Sequence, residues 1–211
     1  MSHYFETPES TVKRHEVRAS FWGEDYLFLS ADGVFSSTRL DPGTSVLFRL
    51  TEPPMDREAR ILDLGCGFGP IAIALALACP SVYVDAIDVN ELALELAASN
   101  AQRMGVDDRV RTLLPTDVEL NVRYDEIWSN PPIRIGKQAL HDLLETWLVR
   151  LTPTGHATLV VGKNLGADSL HTWLESKGWG VSRLGSSKGF RVLTVHRAGS
   201  VLKATTPSDT Q

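Results

Sequence analysis

The chain has 211 residues, of which 43% are hydrophobic and 22% are charged, and its formal net charge at pH 7 is −5. The length fits one ordinary domain, and the composition excludes an intrinsically disordered chain because it supplies enough apolar surface for a sizeable core. The acidic balance argues against a protein that coats nucleic acid over its whole surface. The longest apolar stretch, residues 70–80, is far shorter than the roughly 20 residues that span a bilayer.

The cysteines and histidines exclude further classes of protein. Cys66 and Cys79 are too few for a disulfide framework or a four-ligand zinc site, and the six histidines show no metal-binding spacing. The first residues lack the basic-then-apolar layout of a signal peptide. We therefore expect a soluble, reduced, cytoplasmic protein without a membrane segment or a metal site, and the sequence gives no indication of its oligomeric state.

The first predicted elements are two strands and a helix. Strands rich in β-forming residues are expected at 15–21 and 25–30, on either side of a Trp-Gly-Glu turn. Asp41 followed by a proline is typical of a helix N-terminus, so a helix is expected near residues 42–50. Residues 1–52 are thus predicted to form a small β-rich extension with one helix.

Short apolar strands then alternate with helices, which predicts an α/β fold with a mostly parallel sheet and helices on both faces. The two final strands, WGVSRLG and FRVLTVHR, are joined by too few residues for a parallel crossover and should form an antiparallel hairpin. This gives a seven-stranded sheet within a domain of residues 53–198, followed by a flexible tail at 199–211. The other strands are expected at 59–65, 82–88, 109–115, 125–130 and 156–162, and the helices at 70–78, 90–104, 137–151 and 167–177.

A glycine-rich loop follows the first strand of this sheet. It is Asp63-Leu-Gly65-Cys66-Gly67-Phe68-Gly69, and a helix begins at Pro70. Such a unit lets a ligand approach backbone N–H groups at a helix N-terminus. The third glycine of a dinucleotide fingerprint would fall on Pro70, and the Gly-Lys-Ser/Thr of a phosphate-binding loop is absent.

The loop resembles that of class I S-adenosylmethionine-dependent methyltransferases. The resemblance implies their Rossmann-like fold and S-adenosyl-L-methionine as cofactor. It also implies that Asp63, Gly65, Cys66, Gly67, Phe68 and Gly69 bind the cofactor, with the glycines making room for its methionine part. Asp88, with Val89 beside it, ends the next strand, and its carboxylate can accept hydrogen bonds from both hydroxyls of a ribose. In the resembled family, the residue at the position of Asp117 faces the adenine amino group.

A second loop follows the fourth strand of the sheet, at an edge where ligands sit in open α/β sheets. Its prolines offer no N–H, so it presents acceptors, including the side-chain carbonyl of Asn130. Acceptors that hold both N–H bonds of a conjugated amine orient its lone pair and stabilise the positive charge that develops on the nitrogen. The loop resembles the Asn/Asp-Pro-Pro-aromatic signature of amino-group N-methyltransferases, which act on adenine N6, guanine N2 or glutamine N5. The catalytic candidates are Asn130, Pro131, Pro132 and Ile133, and Asn130 is also expected to contact the cofactor.

One position departs from that signature. Ile133 stands where an aromatic residue stacks on the target base, and a lost stacking face costs roughly 1–3 kcal/mol per base. Phe35, Phe190 and Phe68 are the candidates to replace the missing ring.

Four longer strings of the sequence carry a narrower resemblance. They are Ser129–Lys137, Gly33-Val-Phe-Ser36, Leu40-Asp41-Pro-Gly-Thr44 and Lys188-Gly-Phe-Arg-Val192. They resemble the ribosomal small-subunit RNA guanine-N2 methyltransferase-like (RsmC-like) family, whose better-known members carry a second, degenerate copy of the domain in front. The resemblance implies ribosomal RNA or the small subunit as partner and guanine N2 as target, with the base leaving its stack. Arg134, Lys137 and Lys188 join Phe35 and Phe190 as candidate substrate contacts.

Residues 176–208 form a basic segment, with six Lys and Arg and no Asp or Glu. Such a segment can meet phosphates even on an acidic protein, and a solvated strand face is the alternative interpretation.

Two other functions stay open. The overall acidity and Ile133 favour methylation of a protein glutamine amide or a small-molecule amine. A non-catalytic cofactor-binding subunit is the other alternative, against which the intact Asn-Pro-Pro loop argues. The Gly-x-Ser-x-Gly string at residues 185–189 does not indicate a hydrolase, because a strand and not a helix is predicted after it.

Overall fold

The computed structural model describes residues 12–132 and 135–199. One-turn 3-10 helices at Pro115–Asp117 and Lys163–Leu165 accompany the regular elements. The elements in chain order are β1 (Arg14–Phe21), β2 (Glu24–Ala31), α1 (Pro42–Leu50), β3 (Ala59–Leu64), α2 (Pro70–Ala78), β4 (Val82–Ile87), α3 (Glu91–Arg103), β5 (Val110–Leu113), β6 (Tyr124–Ser129), α4 (Lys137–Leu148), β7 (Leu151–Gly162), α5 (Ala167–Ser176), β8 (Trp179–Ser187) and β9 (Phe190–Arg197).

The main sheet has seven strands in the order β5-β4-β3-β6-β7-β9-β8. The first five pair in parallel, whereas β9 runs antiparallel to both β7 and β8. This confirms the predicted α/β sheet with its antiparallel closing hairpin. The chain leaves β3 toward β4 on one side and returns to β6 on the other, and ligands bind at the carboxyl ends of strands where the order reverses in this way.

Helices cover both faces of the sheet. Along β3, Ile61 belongs to one hydrophobic cluster, and Leu62 and Leu64 belong to the other, as the two-residue period of a strand requires. The first cluster includes α1, α2, α3 and the N-terminal hairpin, and the second includes α4 and α5. Both faces are therefore buried, which explains why β3 carries apolar side chains on both of its faces.

The N-terminal hairpin, β1 and β2, is a separate two-stranded antiparallel sheet, as expected. Its aromatic side chains lie in the same core as α1, and the rings of Phe21 and Phe48 have centroids 4.1 Å apart. The hairpin thus shares a continuous core with the rest of the chain. The proposed boundary between residues 52 and 53 stays a prediction, and the proposed tail, apart from Gly199, lies outside the described residues.

The structure corrects the predicted boundary between α4 and β7. The helix predicted over 137–151 ends at Leu148, and the strand predicted over 156–162 begins at Leu151. Residues 152–155 contain a proline and a glycine and therefore suggest a turn. In the structure they lie within β7, at a point where its pairing with β6 is irregular. A bulge lets a strand accommodate such residues without ending.

Candidate active site

The two loops singled out in the sequence lie side by side. β3 and β6 pair in parallel, with Asp63 opposite Trp128, so the glycine loop and the Asn-Pro-Pro loop leave the sheet at the same edge. A Cβ on Gly65 would lie 3.8 Å from the Cδ of Pro132. Between them opens a cleft that segment 35–44 also lines. The lining residues are Phe35, Ser36, Leu40, Asp41, Thr44, Gly65, Cys66, Gly67, Phe68, Pro70, Ile71 and Asn130.

The glycine loop has a backbone conformation that residues with a side chain rarely adopt. The φ angles of Gly65, Gly67 and Gly69 are 77°, 54° and 92°, in the left-handed region that favours glycine. A Cβ on Gly69 would approach Ala97 of α3 to 3.0 Å, whereas one on Gly67 would meet no atom within 4 Å. Gly69 is therefore required for helix packing, and Gly67 leaves open space beside the loop.

Asp63 is a buried carboxylate beneath this loop. Its Oδ2 accepts the N–H of Ala72 in the first turn of α2 at 2.9 Å, and its Oδ1 has no hydrogen-bond partner among the described residues. Burial, reinforced by the negative charge of Asp88, raises the pKa of the Asp63 carboxyl to about 8 even though the Ala72 N–H opposes the shift. A buried acceptor without a partner suits a cationic ligand group, which would supply the missing donor.

Asp88 follows β4 on the neighbouring side of the cleft. Its Oδ2 accepts the N–H of Gly67 at 2.9 Å, and its Oδ1 accepts the N–H of Asn90 at 3.0 Å. These contacts fix the carboxylate and leave each oxygen with further accepting capacity. Val89 is 82% exposed, and Asp117 is exposed in the 3-10 helix after β5. The three predicted aspartates thus lie at or just after the carboxyl ends of β3, β4 and β5, in order along one edge.

The side chain of Asn130, which follows β6, forms hydrogen bonds with the start of α1. Its Nδ2 donates to Asp41 Oδ1 at 2.7 Å and to Thr44 Oγ1 at 3.1 Å. The buried Ser129 hydroxyl donates to the carbonyl of Leu64 at 2.6 Å, which ties the loop to β3. Of the other predicted catalytic residues, Pro131 is buried and Pro132 is exposed, while Ile133 lies outside the described residues.

Asp41 and Thr44 are site residues that the sequence reasoning missed. Asp41 is the N-cap of α1, as predicted, and accepts the N–H groups of Gly43 and Thr44. The capping signal gave no indication that the same carboxylate contacts Asn130, 89 residues further along the chain. The available signal was the string Leu40–Thr44, which the sequence resemblance already singled out.

The candidate stacking rings differ in exposure. Phe35 is 58% exposed at the cleft, and Phe190 is half-buried beside α1. Phe68 is only 3% exposed and packs edge-on against Phe28, so the idea that its ring replaces the missing aromatic is wrong.

Among the candidate polar substrate contacts, Lys137 is exposed at the start of α4, and Lys188 is exposed in the turn between β8 and β9. Arg134, the remaining candidate, lies outside the described residues.

The basic segment is not a free cationic face. Lys177 pairs with Glu145 at 2.6 Å, Arg191 pairs with Asp168, and Arg197 donates to two backbone carbonyls. Arg183 and Lys188 are exposed and have no ion pair within the part of the chain that the structure describes. Lys203 lies outside that part. Three of the five described cations of the segment are therefore paired within the protein.

The remaining features that the sequence raised are the cysteines, the Gly-x-Ser-x-Gly string, and the question of a metal site or a membrane helix. Cys66 and Cys79 are free and buried, and burial raises the pKa of both thiols, that of Cys79 to about 11. The serines of the Gly-x-Ser-x-Gly string lie in β8 and are followed by β9 and not by a helix. Over residues 12–132 and 135–199, no three His, Cys, Asp or Glu side chains are grouped to hold a metal ion. No helix in these ranges is long and apolar enough to cross a membrane.

The fold and the cleft at its edge define a class of protein. Residues 25–194 match the family described as methyltransferase small domain, and the chain belongs to that family. It is an S-adenosyl-L-methionine-dependent methyltransferase of class I fold, as the resemblance implied.

Individual relatives agree with this assignment. The chain is 34% identical over 197 residues to the uncharacterized protein YbxB of Bacillus subtilis, covering 92% of this chain and 98% of YbxB. It is 35% identical over 170 residues to ribosomal RNA small subunit methyltransferase C of Hahella chejuensis, covering 76% of this chain and 46% of that protein. The chain thus spans less than half the length of that methyltransferase.

A solved structure supports the fold. The Thermus thermophilus 16S rRNA N2 G1207 methyltransferase (RsmC), in complex with AdoMet and guanosine, superposes with a TM-score of 0.77 at 22% identity. The match covers 87% of this chain and 50% of that one.

Proposed function

We propose that this protein methylates an exocyclic amino group of RNA, with guanine N2 of small-subunit ribosomal RNA as its target in the cytoplasm. The observation that carries the proposal is the side chain of Asn130, anchored through its Nδ2 beside the glycine loop, while its Oδ1 receives no hydrogen bond from the residues that the structure describes. The target class comes from relatives, because the Hahella protein is named for small-subunit RNA and the Thermus enzyme for guanine N2.

The residues along the edge fit S-adenosyl-L-methionine. The unpartnered Oδ1 of Asp63 suits the ammonium of the methionine part, and the space beside Gly67 suits its chain. Asp88 would accept the ribose hydroxyls, with Val89 beside it, and Asp117 would accept the adenine amino group. The bound cofactor supplies the methyl group.

Asn130 and its loop would bind the amine. The Asn130 Oδ1 accepts one N–H of the target, and a backbone carbonyl of the proline pair accepts the other. With both N–H bonds held, the nitrogen lone pair points toward the glycine loop, and the acceptors stabilise the positive charge that develops on the nitrogen. Pro131 and Pro132 contribute by removing competing N–H donors and by stiffening the loop.

The remaining candidates would hold the RNA. Phe35, exposed at the cleft, and Phe190 are proposed as stacking faces for the extruded base. Lys137 and Lys188 are proposed to contact phosphates. Arg134 and Ile133 remain predictions from the sequence.

Methyl transfer tests the proposal directly. Cofactor labelled on its methyl group is incubated with the protein and with unmodified small ribosomal subunits, stripped ribosomal RNA or a protein extract. We expect label in RNA, released as N2-methylguanosine on digestion, and a loss of about 100-fold or more in the Asn130→Ala variant with cofactor binding retained.

Other outcomes overturn the proposal in different ways. Label confined to the protein fraction would assign the enzyme to a glutamine or another amide. Cofactor binding without label in any fraction would leave a small-molecule substrate or a non-catalytic subunit. An Asn130→Ala protein that methylates at the full rate would refute the role of Asn130.

A further inference from the structure

We propose that Asp41 is a positioning residue of the methyltransferase, which sets the orientation of the Asn130 carboxamide so that its oxygen faces the substrate amine. The inference rests on the proposed function, because it concerns how the acceptor on Asn130 is prepared. Asp41 would touch neither the cofactor nor the amine and would act only through Asn130.

The two ends of the Asn130 carboxamide are distinguished by the chemistry of its neighbours. Oδ1 of Asp41 lies 2.7 Å from Asn130 Nδ2, and a carboxylate oxygen can only accept a hydrogen bond. The second neighbour, the Thr44 hydroxyl at 3.1 Å, can either donate or accept. Of these two neighbours, Asp41 alone therefore requires that the NH2 end of the amide, and not its oxygen, faces them.

A reversed amide would be unfavourable on both of its sides. Its oxygen would face Asp41 Oδ1, so that two acceptors would meet without a proton between them. Its NH2 group would face the N–H bonds of the substrate amine, so that donors would meet donors. Reversal would therefore remove the hydrogen bond that holds the amine and the orientation that the bond gives to its lone pair.

The start of α1 is built so that this contact can form. Asp41 Oδ1 also accepts the N–H groups of Gly43 at 2.7 Å and Thr44 at 3.2 Å, which fixes the carboxylate on the helix. A Cβ on Gly43 would lie 2.8 Å from Asp41 Oδ1 and 3.2 Å from Asn130 Oδ1. It would also lie 3.0 Å from the ring of Phe190, so glycine permits all three groups to converge.

The capping role of Asp41 must be separated from the positioning role. Serine caps a helix about as well as aspartate, but its hydroxyl can donate as well as accept and therefore no longer decides which end of the Asn130 amide it faces. Asparagine keeps both roles, because the two backbone N–H groups require its oxygen, and that oxygen also accepts from Asn130. Asp41→Ser should therefore remove positioning alone, and Asp41→Asn should preserve it.

The experiment compares methyl transfer by these variants to the acceptor that the unaltered protein labels. We expect Asp41→Ser to lower kcat about tenfold or more, with little change in the cofactor Kd or the unfolding temperature. Asp41→Asn should stay within about threefold of the unaltered kcat. In an Asn130→Ala background, Asp41→Ser should cause no further loss, because its effect passes through Asn130.

A second pair of variants leaves the cap intact. Thr44→Val removes the other acceptor of Asn130 Nδ2 and should lower kcat by a smaller factor. Ser45→Ala is the matched control, because the Ser45 hydroxyl contacts the Asp41 backbone carbonyl and does not contact Asn130, so its kcat should not change.

Three outcomes would overturn the proposal. These are an Asp41→Ser protein with the unaltered kcat, an Asp41→Asn protein as impaired as Asp41→Ser, and an additive loss in the Asn130→Ala background. If the unaltered protein labels no acceptor, the proposed function fails separately. The side-chain NH2 resonances of Asn130, assigned by their loss in Asn130→Ala, then test the contact, and they should shift in Asp41→Ser but not in Ser45→Ala.

Discussion

At the scale of single residues, the proposed role of Asp63 predicts that cofactor binding depends on pH. Its carboxyl has a pKa of about 8 in the ligand-free protein and therefore carries a proton at pH 7. A cationic ammonium group beside Oδ1 would favour the ionised form, so binding of S-adenosyl-L-methionine should release a proton. We expect the affinity to rise as the pH approaches about 8 and calorimetry at pH 7 to depend on the ionisation enthalpy of the buffer. The Asp63→Asn variant should show neither effect, and buffer-independent heats in the unaltered protein would contradict the assignment.

The same carboxyl predicts how stability depends on pH without cofactor. In the unfolded chain it ionises near its ordinary pKa of 3.8, whereas the folded protein holds the proton to about 8. Between these values the unfolded state binds fewer protons, so the free energy of unfolding should fall as the pH rises. Urea unfolding near pH 5 and near pH 8 measures this slope. Asp63→Asn should flatten it, whereas Asp107→Asn, at an exposed position, should not.

At the scale of elements, one buried amide on α3 connects the N-terminal hairpin to the glycine loop. Asn100 accepts the N–H of Leu29 at 2.7 Å and donates to the carbonyls of Leu29 and Phe68 at 2.8 and 2.9 Å. Asn100→Ala leaves these groups without partners, at about 1–3 kcal/mol for each one that stays buried. We expect a clear fall in the free energy of unfolding and weaker cofactor binding, while Gln102→Ala on the exposed face of α3 should change neither. Unchanged urea unfolding of Asn100→Ala would contradict this connection.

The elements also show how far the sequence could predict the molecule. Strand and helix identity followed from local patterns, because short runs rich in β-branched residues and bounded by turn residues predict strands, whereas longer runs with helix end signals predict helices. The α4–β7 boundary could not be predicted, since residues 152–155 have turn composition and lie in the strand only because the pairs on either side of them, Tyr124–Leu151 and Glu126–His156, continue β7. The motifs predicted the glycine loop and Asn130, but the Asp41–Asn130 contact joins residues 89 positions apart and depends on how α1 packs.

At the scale of the whole molecule, we expect RNA binding to depend more on where each cation lies than on the net charge of −5. β8 runs parallel to β7, since both are antiparallel to β9. Phe190, which follows the turn containing Lys188, pairs with Gly162 at the carboxyl end of β7, so this turn lies at the edge that carries the cleft. Lys177 precedes the other end of β8 and is paired with Glu145. The two lysines are thus close in sequence but lie at opposite edges of the sheet.

This placement predicts which lysine contributes to RNA binding. Lys188→Ala should weaken binding to small-subunit ribosomal RNA and lower the slope of log affinity against log salt by about one, because one phosphate contact is lost. Lys177→Ala carries the same change in charge but should leave the slope unaltered, since that lysine lies away from the cleft and is already paired. Filter binding across a salt series measures both slopes. Equal reductions would show that RNA responds to the overall charge and not to the edge that holds Asn130, and the proposed docking at this edge would then be wrong.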